Sequence, residues 1–336
     1  MDGGGKALKK FMNDTESMLR ESLAGFARCH GDIVLLDPDF RFVRRRDLAS
    51  GKVALISGGG SGHEPLHAGF VGRGMLDAAC PGQVFTSPTP DQMVAAAEAV
   101  DTGAGVLFIV KNYAGDVMNF SLAAEMREGK AATVTTDDDV AVERSTHSMG
   151  RRGVAGTMVV EKVMGAAAER GDSLESLKAL GERVNAATRS MGVALTSCTV
   201  PAVGRPTFDI GEGEMEMGVG IHGEPGRRRV ALMAADAIAE EMVDAIAADL
   251  ALGKRDAVLL VVNGFGATPL LELYLMYDAA ARSLAARGLE IARGLAGNYV
   301  TSLDMAGCSL TVTRADADIA ALWDAPVHTA ALRWRA

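Results

Sequence analysis

The stretch KVALISGGGSGHEP, residues 52–65, decides the architecture. Apolar residues favoured in strands give way to GGGSG and then to His63, Glu64 and Pro65. A strand that runs directly into glycines places them at the carboxyl edge of a sheet, where α/β proteins bind their ligands. Two nucleotide-binding readings fail on the same residues. A Walker loop needs Lys and Ser or Thr after its last glycine, where this chain has His63 and Glu64, and a dinucleotide fingerprint should open a helix, where Pro65 intervenes. What the stretch offers is backbone N–H groups and one imidazole at close range to a small polar ligand, because glycine lets main chain approach without a Cβ. A tight turn carrying an exposed histidine stays open on this stretch alone.

Outward from it, short apolar runs alternate with helical patterns, the signature of sheets covered by helices. Strands are expected at 52–57, 105–110 (GVLFIV) and 131–136 (AATVTT), with a helix in SPTPDQMVAAAEAV, 87–100. Further strands are expected at 214–221, 257–262, 289–295 and 308–313, with helices through 231–250 and 270–284. A polar helix ends at ATRSMG, 187–192, and VALTSCTV then reads as a new strand. The fold class is therefore α/β: two α/β domains, residues 1–188 and 189–336, each a parallel or mixed sheet flanked by helices. The length of 336 residues suits two such cores. Helix starts are read at Asn13 with Glu16, at Asp172 with Glu175, and at Thr268-Pro269.

Net charge is −9 and the basic runs are short, RRR at 44–46 and 227–229. That balance argues against nucleic acid or an anionic membrane as partner. The N-terminal stretch MDGGGKALKKFMNDTE lacks an apolar segment and the longest apolar runs are strand-sized, so a cytoplasmic protein is expected. Cys29, Cys80, Cys198 and Cys308 are widely spaced, which suits reduced thiols used as small core residues.

The strand at 105–110 ends in KNYAGD and delivers Lys111 and Asp116 to the same sheet edge. An exposed ion pair is the default for such a pair. In a crevice shielded from water, Asp116 can take a proton from a substrate hydroxyl and Lys111 can anchor a hydroxyl or balance charge. Asp137, Asp138 and Asp139 follow the next strand and read as caps and turns rather than metal ligands. In EMEMGVGIHGEPG, 214–226, an alternating pattern breaks at His222 between glycines, so its immediate neighbours supply little packing. A neutral imidazole there can add to a ketone carbonyl, which would select carbonyl sugars over polyols. His30, His67, His147 and His328 have no comparable surroundings in the sequence.

SGGGSGHEP, ACPGQVFTSPTPDQ, KNYAGD, DDDVAV, GRRGVAGT, EMEMGVGIHGEPG, NGFGATP, TSLDMAGCS and LWDAPVHTAAL occur in this order across nearly the whole chain. In this the chain resembles the dihydroxyacetone kinase family, specifically its ketose-binding K subunit, whose fold is related to the DegV type. The resemblance implies that His222 forms a covalent hemiaminal with the ketone carbon, and that Gly60, Ser61, Gly62 and His63 line the substrate. It also implies that His63 acts in acid–base chemistry, and that Lys111 and Asp116 hold hydroxyls, Asp116 as the base for the one phosphorylated. By the same resemblance the glycines make room for the sugar. One departure is Ala114, where KNYTGD would carry threonine. No cofactor is expected on this chain: ADP or ATP with Mg would sit on a separate L-type subunit, its ultimate donor either ATP or phosphoenolpyruvate. A homodimer is expected. Other readings are a four-carbon ketose such as erythrulose, a non-catalytic sensor acting on a transcription regulator, and a fatty-acid-binding DegV-type protein.

Overall fold

The structure is a computed structural model and describes residues 9–142, 150–224 and 226–335. His147, the first eight residues of the N-terminal stretch, and Pro225 lie outside the described residues.

The first half builds a six-stranded sheet from β1 (Val34–Leu36), β2 (Val43–Arg45), β3 (Ala54–Ser61), β5 (Ala78–Val84), β6 (Val106–Lys111) and β7 (Ala131–Thr136). Their order is β1-β2-β5-β3-β6-β7; β5, β3, β6 and β7 run parallel, and β1, β2 and β5 are joined antiparallel. A short β4 (Gly72–Arg73) lies outside this sheet. The second half builds another from β8 (Thr188–Ala194), β9 (Glu214–Met217), β10 (Arg228–Ala231), β11 (Ala257–Gly264), β12 (Glu290–Gly297) and β13 (Gly307–Arg314). Here the order is β10-β9-β8-β13-β11-β12, antiparallel except for β11 beside β12. Both sheets are flanked by helices, as the alternating pattern requires.

The helices are α1 (Met18–Cys29), α2 (Pro90–Val100), α3 (Ala114–Met126), α4 (Gly156–Arg170), α5 (Leu174–Ala186), α6 (Ala235–Asp249), α7 (Leu270–Ala286) and α8 (Ala317–Asp324). One apolar cluster joins α2 and α3 to the first sheet, and another joins α6 and α7 to the second. Between the sheets lies a third cluster centred on α4, whose residues Gly156–Ala168 are all buried. GTMVVEKVMGAAA is apolar on nearly every face, the composition of a helix with no side facing water. Glu161 and Lys162 are the exceptions, and both are fully buried.

The C-terminal segment returns to the first half: β14 (Val327–Thr329) pairs with β15 (Arg333–Trp334) on one side and β4 on the other. The division expected between residues 188 and 189 falls at the first residue of β8.

Several local expectations shift, each for a physical reason. The glycines at 58–60 are not a loop after the strand but its continuation, since β3 runs to Ser61. A Cβ on Gly58 would stand 2.6 Å from the Cys80 carbonyl oxygen, and one on Gly60 2.7 Å from Phe85 Cα, so the strand can pair this closely with β5 only without side chains. The strand expected at 214–221 stops at Met217 because Gly218 turns left-handed at φ +80°. VALTSCTV leaves the sheet after Ala194, and β8 begins five residues earlier than Val193. Asp14, not Asn13, organises the entry to α1, accepting from the Ser17 N–H at 2.7 Å. Ser173, not Asp172, caps α5, because Asp172 is drawn to Arg170. Thr268 hydrogen-bonds both backbone groups of Gly307 and leaves Pro269 as the cap of α7.

Candidate functional site

The carboxyl ends of β3 and β6 and the turn after β9 meet around a cavity of about 520 Å³, whose lining includes Gly60, Phe85, Tyr113, Asp116, His222 and Glu224. His222 on its wall packs edge-on against His63 from the other half of the chain, with ring centroids 4.6 Å apart.

His63 is 1 % exposed. Its Nδ1–H donates to the Thr301 carbonyl at 2.7 Å, which leaves Nε2 as the bare ring nitrogen; Nε2 is buried and has no partner among the described residues. Burial, reinforced by the charges of His222 and Lys111, drives its pKa well below the ordinary imidazole value, so the ring is neutral. The Phe85 ring stacks on it at 4.9 Å. The loop following β12 clamps the backbone around it: Leu303 N–H donates to Gly62 at 2.8 Å and Thr301 Oγ1 to the Glu64 carbonyl at 2.8 Å. Asn263, within the NGFGATP motif, shapes that loop through the N–H groups of Tyr299 and Val300 and the Val300 carbonyl.

His222 sits in the turn between β9 and β10, its side chain 19 % exposed. Glu224 accepts from its backbone N–H at 3.0 Å and from Nδ1–H at 3.1 Å. In the neutral ring this hydrogen bond keeps the proton on Nδ1 and leaves Nε2 bare. Burial opposes the charge on Glu224, but the hydrogen bond and charge of His222 and the nearby Arg152 guanidinium outweigh it and hold the carboxyl down to about 2. Arg152 is in turn fixed by Asp139 at 2.6 Å and by the Gly218 carbonyl at 2.8 Å. Rings from distant parts of the chain pack His222: Tyr113 at 4.5 Å and Phe85 at 5.2 Å, both edge-on.

The crowding gives the glycines a further use. A Cβ on Gly220 would lie 2.1 Å from Glu224 Oε2, one on Gly59 2.1 Å from Lys111 Nζ, and one on Gly62 2.9 Å from the Phe85 ring. These glycines make room for the protein's own charged and aromatic groups.

Asp116 lies in the first turn of α3 and is buried. Its Oδ2 is 3.4 Å from Lys111 Nζ, while its buried Oδ1 has no partner among the described residues. Lys111 is completely buried, so the pair is not a surface bridge. Its ammonium reaches the Gly58 carbonyl at 3.2 Å and His67 Nε2 at 3.0 Å as well as Asp116. Ser61 Oγ points across the sheet to the Gly82 carbonyl at 2.7 Å.

The three aspartates after β7 serve structure, as caps and turns would: Asp138 accepts from the N–H groups of Val154 and Gly156 at the start of α4, Asp137 exchanges hydrogen bonds with Asn185, and Asp139 holds Arg152. Among the described residues no group of three or more His, Cys, Asp or Glu could hold a metal ion.

Thus the structure brings His222, Asp116 and Gly60 to one cavity, with His63 buried against the His222 ring and Lys111 behind Asp116. Sequence reasoning missed Phe85, Tyr113, Glu224, Arg152, His67 and Glu161. Glu224 had a visible signal, a carboxylate two residues from a glycine-flanked histidine. Glu161 had another, an acid inside an apolar helix. His67, set aside on its neighbours, is 6 % exposed and contacts both Lys111 and Glu161.

Buried acceptors with unused lone pairs, facing a cavity beside a nucleophilic imidazole, suit addition to a carbonyl followed by proton removal from a hydroxyl. The chain is 50% identical over 310 residues to "PTS-dependent dihydroxyacetone kinase 1, dihydroxyacetone-binding subunit DhaK" of Listeria innocua, covering 91% of this chain and 94% of that one. It is 47% identical to "PEP-dependent dihydroxyacetone kinase, dihydroxyacetone-binding subunit DhaK" of Escherichia coli K12, covering 97% and 99%. Among solved structures, "Dihydroxyacetone kinase operon co-activator Dha-DhaQ" superposes with a TM-score of 0.88 at 32% identity, covering 95% and 98%. Residues 24–331 match the Dak1 domain, and the chain belongs to the Dak1 domain family.

Proposed function

We propose that this chain is the ketose-binding subunit of a dihydroxyacetone kinase. His222 Nε2 adds to the ketone carbon of dihydroxyacetone: the C–N bond forms, the carbonyl π bond breaks, the oxygen takes a proton from solvent water, and the new hydroxyl donates to the bare His63 Nε2, which can take that proton back when the adduct reverses. The positive charge that develops on the imidazole is met by ionised Glu224. The hemiaminal pins the sugar while Asp116 Oδ1 accepts the proton of the hydroxyl that attacks the phosphoryl donor. Gly60 backs the sugar, Lys111 faces Asp116 Oδ2 at 3.4 Å and leaves Oδ1 for the hydroxyl, and Ser61 and Gly62 shape the strand end. The donor, ADP or ATP with Mg, sits on an L-type subunit that covers the cavity. The chain acts as a homodimer in the cytoplasm, divided into two units near residue 188.

One observation carries this reading: a histidine with its Nε2 freed by Glu224 stands 4.6 Å, ring to ring, from a second with an unpartnered Nε2, beside an unpartnered Asp116 oxygen. The test is a pair of variants. His222→Ala abolishes the mass adduct with dihydroxyacetone and removes the preference for ketose over glycerol. Asp116→Asn keeps the adduct while turnover with an L-type partner and donor falls on the order of 10²- to 10⁴-fold. An unchanged ketose preference in His222→Ala overturns the assignment. The structural likeness to a co-activator supports a second reading, a ketose sensor acting on a transcription regulator; triose phosphate formed with partner and donor decides between them. Erythrulose in place of dihydroxyacetone is separated by comparing kcat/KM.

A further inference from the structure

Behind the site runs a line of buried titratable groups, two of which, His67 and Glu161, the reaction as described leaves unused. Glu161 on α4, fully buried, lies 2.6 Å from His67 Nδ1, and His67 Nε2 lies 3.0 Å from Lys111 Nζ. Lys111 touches Asp116 at 3.4 Å. The other Glu161 oxygen, Oε2, is buried without a partner among the described residues. Four groups on four segments are thereby strung from the substrate cavity into the layer between the sheets. Among the described residues His63, the Ser57 hydroxyl, the Gly58 carbonyl and Tyr113 also act on them.

The geometry admits two proton arrangements of equal proton count. In one, Lys111 is an ammonium donating to His67 Nε2, and Nδ1–H donates to an ionised Glu161. In the other, an Nζ–H bond breaks as Nε2–H forms, Nδ1–H breaks as the Glu161 O–H forms, and all three groups are neutral. Low polarity around them favours the neutral set, while an ionised Asp116 beside Lys111 favours the charged one. Burial raises Glu161 to about 8, so its two forms are close in free energy near neutral pH.

We propose that His67 and Glu161 are positioning residues that relay a proton to and from Lys111, matching its charge to that of Asp116. With Asp116 ionised, Lys111 is an ammonium and holds Asp116 as a base. Once Asp116 has taken the hydroxyl proton, Lys111 passes its own proton to His67, and Glu161 takes up the Nδ1 proton. No uncompensated charge is then left in the closed site. His67 also lines a second cavity, about 580 Å³, between α1 and the far side of β3, so the relay reaches solvent away from the substrate. This rests on the kinase reading above.

The test uses the full chain with an L-type partner, phosphoryl donor and dihydroxyacetone. In His67→Gln and Glu161→Gln, kcat falls on the order of ten- to a hundredfold while KM changes less than about threefold, and the pH–rate limb moves. Glu161→Asp restores part of the rate, which a packing role alone would not produce. Equal kcat and superimposable pH profiles overturn the relay. Should these variants not fold, ¹⁵N-histidine NMR decides: His67 carries its proton on Nδ1 in the unaltered protein and on Nε2 in Asp116→Asn, where the carboxylate charge beside Lys111 is gone. A His67 tautomer that is the same in both overturns the proposal. A wild-type protein that neither captures ketose nor turns it over defeats the kinase reading instead, and the NMR result stands apart from that.

Discussion

Replacing Glu224 by Gln tests the central geometry with little change of shape. The carboxylate accepts two hydrogen bonds from His222, at 3.0 Å from N–H and 3.1 Å from Nδ1–H. A glutamine oxygen can accept one of them, and its NH₂ group only donates, so Nδ1 becomes an acceptor and the ring proton moves to Nε2. The nucleophilic nitrogen is then blocked. Capture of ¹³C-labelled dihydroxyacetone, followed as loss of the carbonyl resonance, should fall on the order of 10²-fold or more at neutral pH.

Stability should move with it. The pKa of Glu224 falls from an ordinary 4.5 to about 2, equivalent to ~3 kcal/mol in favour of the folded chain. Because the folded value is the lower one, this contribution is fully present above pH 4.5 and fades as pH falls toward 2. Urea unfolding at neutral pH should place Glu224→Gln roughly 3 kcal/mol below wild type, and the gap should close through that acid window. Undiminished adduct formation, or a gap that does not change with pH, refutes the argument that Glu224 orients and charges this site.

Two further outcomes follow from packing and burial. Gly60→Ala brings a Cβ to 2.6 Å from the Thr86 nitrogen and 2.7 Å from Phe85 Cα, both backbone atoms, so urea unfolding should show a loss of about 1–3 kcal/mol together with weaker ketose binding. Lys162 donates to the Leu322 carbonyl from inside the core, and burial lowers it from 10.5 to about 8. The folded chain then binds fewer protons than the unfolded chain between those values, so wild-type stability should rise by up to ~3 kcal/mol from pH 8 to pH 10.5. Lys162→Met should flatten that slope; a slope retained in the variant removes Lys162 as its source.

The local features legible in the sequence were those written in neighbouring residues. The strand around 106–110, the helix within 87–100, the carboxylates after β7 and the glycine-flanked His222 all follow from period, turn chemistry and the absence of side chains. Where two neighbours compete for one role, the sequence was ambiguous by a residue or two: Asn13 against Asp14, Asp172 against Ser173. The glycines of β3 looked like a loop because only the opposite strand, fixed by folding, shows why a Cβ is excluded.

By itself, then, the chain determined its α/β class, the positions of most strands and helices, and the chemical types assembled for carbonyl and proton chemistry, because these depend on properties repeated every two to four residues. Tertiary structure alone decided which nitrogen each imidazole presents. Thr301 is 238 positions from His63, and Glu161 is 94 from His67. A ring's tautomer and charge are set by whichever acceptor, carboxylate or low-polarity wall closes on it in space, and such partners leave no mark at a fixed spacing along the chain.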